Sequence, residues 1–106
     1  MTGRHLLHFD LAGFSYYDGI TVFSELKIGS LLRMVAEPTN SYDQHAVEIY
    51  YGDTKLGYMP RSSNRIIFKL LNFGHADLFE VMINRITPDA DPEGQIGVVV
   101  RVVEKK

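Results

Sequence analysis

Apolar and polar residues alternate over Arg4–Leu11, so that Leu7, Phe9 and Leu11 share one face while His8 and Asp10 take the other. A period of two marks a half-buried strand. Gly13 is placed as a bulge or bend, Phe14–Tyr17 continues the extended chain, and Asp18-Gly19 is a turn signal. Ile20–Leu26 reads either as a short helical turn or as a wandering connection. Gly29 precedes a strand at Leu31–Ala36, with Leu32, Met34 and Ala36 on one face. Val47, Ile49 and Tyr51 then alternate with Glu48 and Tyr50, and Gly52-Asp53-Thr54 folds this segment back onto Lys55–Met59 as a hairpin.

Beyond Pro60 the spacing becomes helical. Ile66, Ile67, Leu70, Leu71 and Phe73 fall on one face, Ser62 or Ser63 is placed to cap the start, and Gly74 sits where a left-handed terminal residue is wanted. Leu78–Thr87 returns to strand spacing, with Phe79, Val81 and Ile83 inward. Pro88–Gly94 is an acidic loop carrying Asp89, Asp91 and Glu93, and Ile96–Val103 closes the pattern with Ile96, Val98, Val100 and Val102 on one face. The pattern predicts a mainly β (α+β) fold of six short strands and one clear helix, with Ile20–Leu26 as the option for a second, short one. Short strands at regular spacing favour a six-stranded OB-like or SH3-like β-barrel over an open sheet.

Composition narrows the picture. The 106 residues suit a single domain, 1–106, with no linker or repeat. With no cysteine, disulfides and thiolate metal sites are excluded, and a cytoplasmic setting is the simplest expectation. No apolar run reaches membrane-span length, so no membrane partner is expected. The formal charge of -2 argues against a protein that lives on non-specific phosphate contacts, so any nucleic-acid role must rest on a local site.

Catalytic signals are weak. There is no nucleophile elbow, no phosphate-cradling glycine loop and no His-Glu-x-x-His, so no enzyme, cofactor or metal is expected. The four histidines, His5, His8, His45 and His75, are scattered singly without ligand-like spacing. Asp89, Asp91 and Glu93 lack the rest of a calcium loop and read as a solvated turn. The stretch Glu37–Arg61 is richer. Its turn cluster runs through Thr39, Asn40, Tyr42 and Asp43 into the hairpin, and Tyr16 and Tyr17 lie before an earlier turn. Aromatic faces stack nucleobases irrespective of sequence, and a carboxylate accepts from a hydroxyl while repelling phosphate. From composition alone the plainer reading leads: tyrosines fill small barrels, and Asn and Asp build turns. Arg61, Arg65 and Lys69, four apart with Phe68 among them, form a cationic stripe that would track a phosphate backbone while Phe68 stacks a base, or more commonly would simply be the wet side of the helix with Phe68 at the core's edge.

Three segments carry a family resemblance: Phe14-Ser15-Tyr16-Tyr17-Asp18-Gly19; Glu37-Pro38-Thr39-Asn40-Ser41-Tyr42-Asp43 leading into Ala46-Val47; and Leu56-Gly57-Tyr58 before a helix. In this order they resemble the HIRAN domain, and the likeness spans Phe9–Val103. The resemblance implies a modified OB-like barrel, found fused to DNA translocases that remodel stalled forks and as free-standing bacterial proteins. It implies a module that binds the free 3′-hydroxyl end of single-stranded DNA in repair or fork processing, with a separate helicase or nuclease as the further partner. Carried over by motif, Tyr16 and Tyr42 would stack the terminal bases and Asp43 would accept from the 3′-hydroxyl. The Thr39-Asn40 turn would hold the last nucleotide's backbone. Tyr17, Tyr58 and Arg61 complete the DNA-binding set, with Arg65 and Lys69 as backbone contacts. The chain departs from the pattern at Ser15, where DNA-binding members place an arginine, and at Thr39, where they place an asparagine. The alternative is a protein–protein interaction module using the same groove.

Overall fold

In the computed structural model, which describes residues 3–91 and 94–103, strand β1 (Gly3–Asp10) pairs antiparallel with the last strand, β6 (Ile96–Val103), setting Leu7 opposite Val100 and Phe9 opposite Val98. The other strands are β2 (Leu31–Ala36), β3 (Val47–Tyr51), β4 (Thr54–Tyr58) and β5 (Phe79–Ile86). Every pairing is antiparallel, and the ladder runs β1-β6-β5-β2-β3-β4. Alternation predicts the inward faces of β1, β2 and β3 as they are found. Strand β6 is the exception: Ile96 through Val100 are all buried, since its central stretch is covered on both faces. The core is drawn from Leu11, Val47, Ile49, Leu56, Ile83, Ile96, Val98 and Val100.

The sheet is not a continuously closed ladder. Among the described residues, the chain just past edge strand β1 meets edge strand β4 at a single bridge, Ala12 to Tyr58, where each backbone N–H donates to the other's carbonyl at 2.9 Å. Gly57 makes this approach possible. A Cβ there would collide with the Ala12 carbonyl oxygen, and the residue sits at φ 158°.

Local structure differs from the expected pattern at Phe14–Tyr16 and around the main helix, and between them it decides Ile20–Leu26 for the helical option. Phe14–Tyr16 is a 3₁₀ turn rather than extended chain, because Gly13 turns the backbone through φ 73°. Phe14 is thereby buried, its ring 6.1 Å from that of Phe23. Ile20–Leu26 resolves into a one-turn helix, α1 (Gly19–Val22), and a 3₁₀ turn over Phe23–Glu25.

The main helix, α2 (Arg65–Asn72), is capped neither by Ser62 nor by Ser63. Its N-cap residue is Asn64, whose side chain is used elsewhere. Its buried face is also rotated by one position. Ile67 and Phe68 are inside, whereas Ile66 and Phe73 are 63% and 74% exposed. The Phe68 ring packs into the core, in edge contact with His45 at 5.4 Å, so it is not an exposed stacking platform within a cationic stripe. Gly74 ends the helix as expected, at φ 88°, with Gly74 N–H donating to Leu71 O and His75 N–H to Leu70 O.

In the loop after β5, Asp89 and Asp91 are exposed, while Glu93 lies outside the described residues. Arg85 ties this loop to β1 by donating to the Asp10 carboxylate at 2.8 Å and to Gly94 O at 2.7 Å. Among the described residues no helix is long and apolar enough to cross a membrane.

Candidate binding site

Short polar side chains fold the segment between β2 and β3 onto itself. Asn40 Oδ1 accepts from the backbone N–H of Tyr42 at 2.8 Å and of Asp43 at 2.9 Å, an Asx-type turn. Asp43 Oδ1 accepts from His45 N–H at 2.9 Å, and Asp43 Oδ2 accepts from Asn64 Nδ2 at 2.8 Å. Asn64, 2% exposed, therefore pins the start of α2 to the loop. Arg61 donates to the Tyr42 carbonyl at 2.6 Å, and its Nε lies 3.8 Å from Asp43 Oδ2. With its backbone held from both sides, Tyr42 stands out into solvent at 85% exposure.

A second network forms the floor. Tyr58 donates its hydroxyl proton to Glu37 at 2.7 Å and accepts from Lys55 at 2.8 Å. Asn40 Nδ2 donates to Glu37 at 2.6 Å. Lys55 also pairs with Glu48 at 3.1 Å and lies over the rings of Tyr17 and Tyr58, 4.4 and 4.3 Å from their centroids. Those two rings meet edge to face at 5.6 Å.

Burial works against each charge here, and the partners decide the outcome. Burial alone would raise the Glu37 carboxyl, but the hydrogen bonds from Asn40 and Tyr58 and the charge of Lys55 outweigh it and hold the pKa below its usual value. Burial would likewise lower Lys55, yet its bonds to Tyr58 and Glu48 raise it. The Tyr58 phenol is pushed up to about 12, first by burial and then by its bond to Glu37, against the opposing effect of Lys55.

A depressed carboxyl contributes stability above its unfolded-state pKa and loses it as the pH falls through the folded-state value. The Glu37 contribution is therefore expected to be intact above about pH 4.5 and to fade below it. Stability measured across the acid range should show a shallower acid limb in Glu37→Gln than in the parent chain.

These two networks enclose a groove of about 530 Å³. Of the residues expected at the site, Tyr17, Thr39, Asn40, Tyr42, Asp43, Tyr58 and Arg61 line it, together with Glu37, Ala12 and Met59. Tyr16 does not line it and stands outside at 81% exposure. Arg65 and Lys69 are exposed on α2 away from the groove lining, and Arg61 lies in the turn before the helix, so the three do not form one helical stripe.

Sequence reasoning missed the parts played by Lys55 and Asn64. Lys55 reads only as a strand residue, since nothing local shows that the Tyr17 ring of a distant turn lies against it, and Asn64 carries no signal at all because its partner Asp43 is 21 positions away. Among the described residues no group of three or more histidine, cysteine or acidic side chains is placed to hold a metal ion. Replacing Asn64 by alanine should cost about 1–3 kcal/mol of stability, since it leaves Asp43 Oδ2 short of its neutral donor and unpins the loop. Urea denaturation measures it.

The HIRAN domain family model matches residues 5–103. No curated protein sequence matches the chain. Among solved structures, the chain is similar to a protein of Lactobacillus plantarum, with TM-score 0.75 and 20% identity over 97% of this chain and 98% of that one. It is also similar to the HIRAN domain of human HLTF, with TM-score 0.63 and 13% identity over 90% of this chain and 73% of that one.

Proposed function

The chain belongs to the HIRAN domain family, and from that membership and the groove we propose that it is a DNA-binding module that takes a single strand by its free 3′-hydroxyl end. The observation that carries the reading is the pairing of Tyr42, a ring fixed outward at 85% exposure, with the Asp43 carboxylate beside it. Asp43 accepts one neutral hydrogen bond on each oxygen, and a carboxylate oxygen has capacity for two. A hydroxyl can therefore be added without dismantling the loop. A terminal phosphate would meet both Asp43 and Glu37, so an end bearing a hydroxyl is chosen over internal strand. In this reading Tyr42 and Tyr16 are stacking faces, Thr39 and Tyr17 flank the last sugar, and the lone Ala12–Tyr58 bridge is the seam of an OB-like barrel. The module has no catalysis of its own. A helicase or nuclease that works on the captured end would be another chain.

Titration of a short fluorescent oligonucleotide tests this directly. A 3′-hydroxyl strand should bind at least tenfold tighter than the same strand with a 3′-phosphate, and equal affinities would remove the end-selective mechanism. Cations are scarce in the groove. Lys55 is committed to Glu48, Tyr58 and two rings, and Ser15 supplies no charge. Arg61 is left as the one cation among the lining residues, with a side chain 71% exposed. Each phosphate neutralised on a single strand contributes about 0.7 to the slope of log affinity against log salt. The slope should therefore be shallow, about 1, and a steep one would place the strand on a different surface.

One observation also favours a peptide ligand: the groove holds two carboxylates and that single lining cation, a fit for hydrogen-bond donors. A protein partner recovered from nuclease-treated extract and displaced by Tyr42→Ala, with no oligonucleotide binding, would replace the DNA reading by this one.

A further inference from the structure

The two histidines of β1 are brought together by a defect in the strand. In a regular strand, residues three apart point to opposite faces. The pairing of β1 with β6 shifts register between His5 and Leu7, and the extra residue, Leu6, is left 45% exposed. Past this bulge His5 and His8 share a side. Nε2 of His5 lies 3.0 Å from Nδ1 of His8, and the ring centroids are 5.2 Å apart. Both residues are exposed, and neither lines the groove.

We propose that His5 and His8 form a bidentate site for a divalent transition-metal ion, with Cu²⁺ or Ni²⁺ the best fit. Imidazole nitrogen binds such ions at about 2.05 Å, and two nitrogens 3.0 Å apart at that length subtend about 95° at the ion. That is the angle between neighbouring ligands in tetragonal or octahedral coordination, which suits Cu²⁺ and Ni²⁺, and it is narrower than the tetrahedral angle preferred by Zn²⁺. The two rings now face each other along their hydrogen bond, and being exposed they are free to turn toward an ion beside it so that both lone pairs converge.

Without an ion, one proton lies between the two facing nitrogens. On binding, the ring that donates this hydrogen bond passes to its other neutral tautomer, its proton leaving the inner nitrogen for water while the outer nitrogen takes one up, so that both inner nitrogens offer lone pairs and each ring carries its N–H on the outer nitrogen, Nδ1 of His5 and Nε2 of His8. Both ligands are then neutral, and water fills the remaining positions. The residue opposite His5 in the register is Arg101, whose guanidinium is partly offset by Glu80 at 3.9 Å. Two neutral ligands beside a cation make a weak, exchangeable site, a clip on an edge strand rather than a condition for folding.

The test is titration of Cu²⁺ and of Ni²⁺ into the untagged, metal-free chain, followed by ligand-field absorption and, for Cu²⁺, by nitrogen coupling in the electron spin resonance spectrum. One ion per chain with two-nitrogen coordination is expected, weakened at least tenfold by His5→Ala or His8→Ala and unchanged by His45→Ala or His75→Ala. His5→Asn, which keeps a polar side chain on the bulge, should lose binding in the same way. Absence of saturable binding, or binding that survives the His5→Ala/His8→Ala double variant, overturns the proposal. Neither outcome bears on the oligonucleotide groove.

Discussion

Replacing Gly57 by alanine is expected to lower the unfolding free energy by about 3 kcal/mol or more, among the largest losses available to a single methyl group in this chain. The added carbon would be driven into the Ala12 carbonyl oxygen, with Leu11 on its other flank, and backbone cannot swing aside as a flexible side chain can. Relief means parting Ala12 from Tyr58, which breaks two backbone hydrogen bonds and the bridge that joins the chain after β1 to β4. Gly52→Ala is the control. That glycine has φ 56° with nothing within 4 Å of an added carbon, so it pays only the left-handed backbone penalty of about 1–2 kcal/mol. Urea midpoints of the two variants should separate clearly. Because Tyr58 carries both the bridge and the groove floor, Gly57→Ala should also weaken ligand binding, whereas Gly52→Ala should leave it intact.

The second large effect concerns the two outward rings. Tyr42→Ala and Tyr16→Ala are each expected to cost about 1–3 kcal/mol of oligonucleotide affinity, the usual value of one base-stacking platform. Their stability should hardly move, since the rings are 85% and 81% exposed and bury little on folding. Fluorescence anisotropy with the 3′-hydroxyl strand measures the loss, and thermal melting checks the fold. Unchanged affinity in Tyr42→Ala would remove stacking from the mechanism. Loss in Tyr42→Ala but not in Tyr16→Ala would confine the ligand to the groove that Tyr42 lines and Tyr16 does not.

Much of the fold was legible because alternation and helical spacing report burial directly. Leu7, Phe9, Val47, Ile49, Val81 and Ile83 face the core or its margin as their periods require. The failures come from contacts the local pattern cannot contain. Spacing leaves Phe68 either within the cationic stripe of α2 or at the core's edge, and the core, with an edge contact to His45 twenty-three positions away, decides for the second. Ser62 and Ser63 had the right chemistry for a cap, yet Asn64 holds that position and spends its amide on Asp43. The barrel expected from strand count meets a ladder whose ends touch at one residue pair, a matter of sheet curvature that periodicity does not encode. At the site, the residue types of the turn were readable, whereas the clamp on Lys55 by two rings and two oxygens required the third dimension. His5 and His8 looked unrelated because a regular strand would part them, and a bulge leaves no clear trace in sequence.

The hydrogen-bonded mesh of Asn40, Asp43 and Asn64 bears on how any guest is received. Since these side chains already hold the loop's backbone, little motional freedom remains to be surrendered on association, and less of the contact energy is lost to ordering. The groove should behave as a preformed lock, with main-chain shifts of about 1 Å or less between empty and filled states. Amide exchange at Asn40, Tyr42, Asp43, His45 and Ala46, whose N–H groups the mesh and its turns hold, should accordingly be slow before any guest is added, and slow down little further once it is.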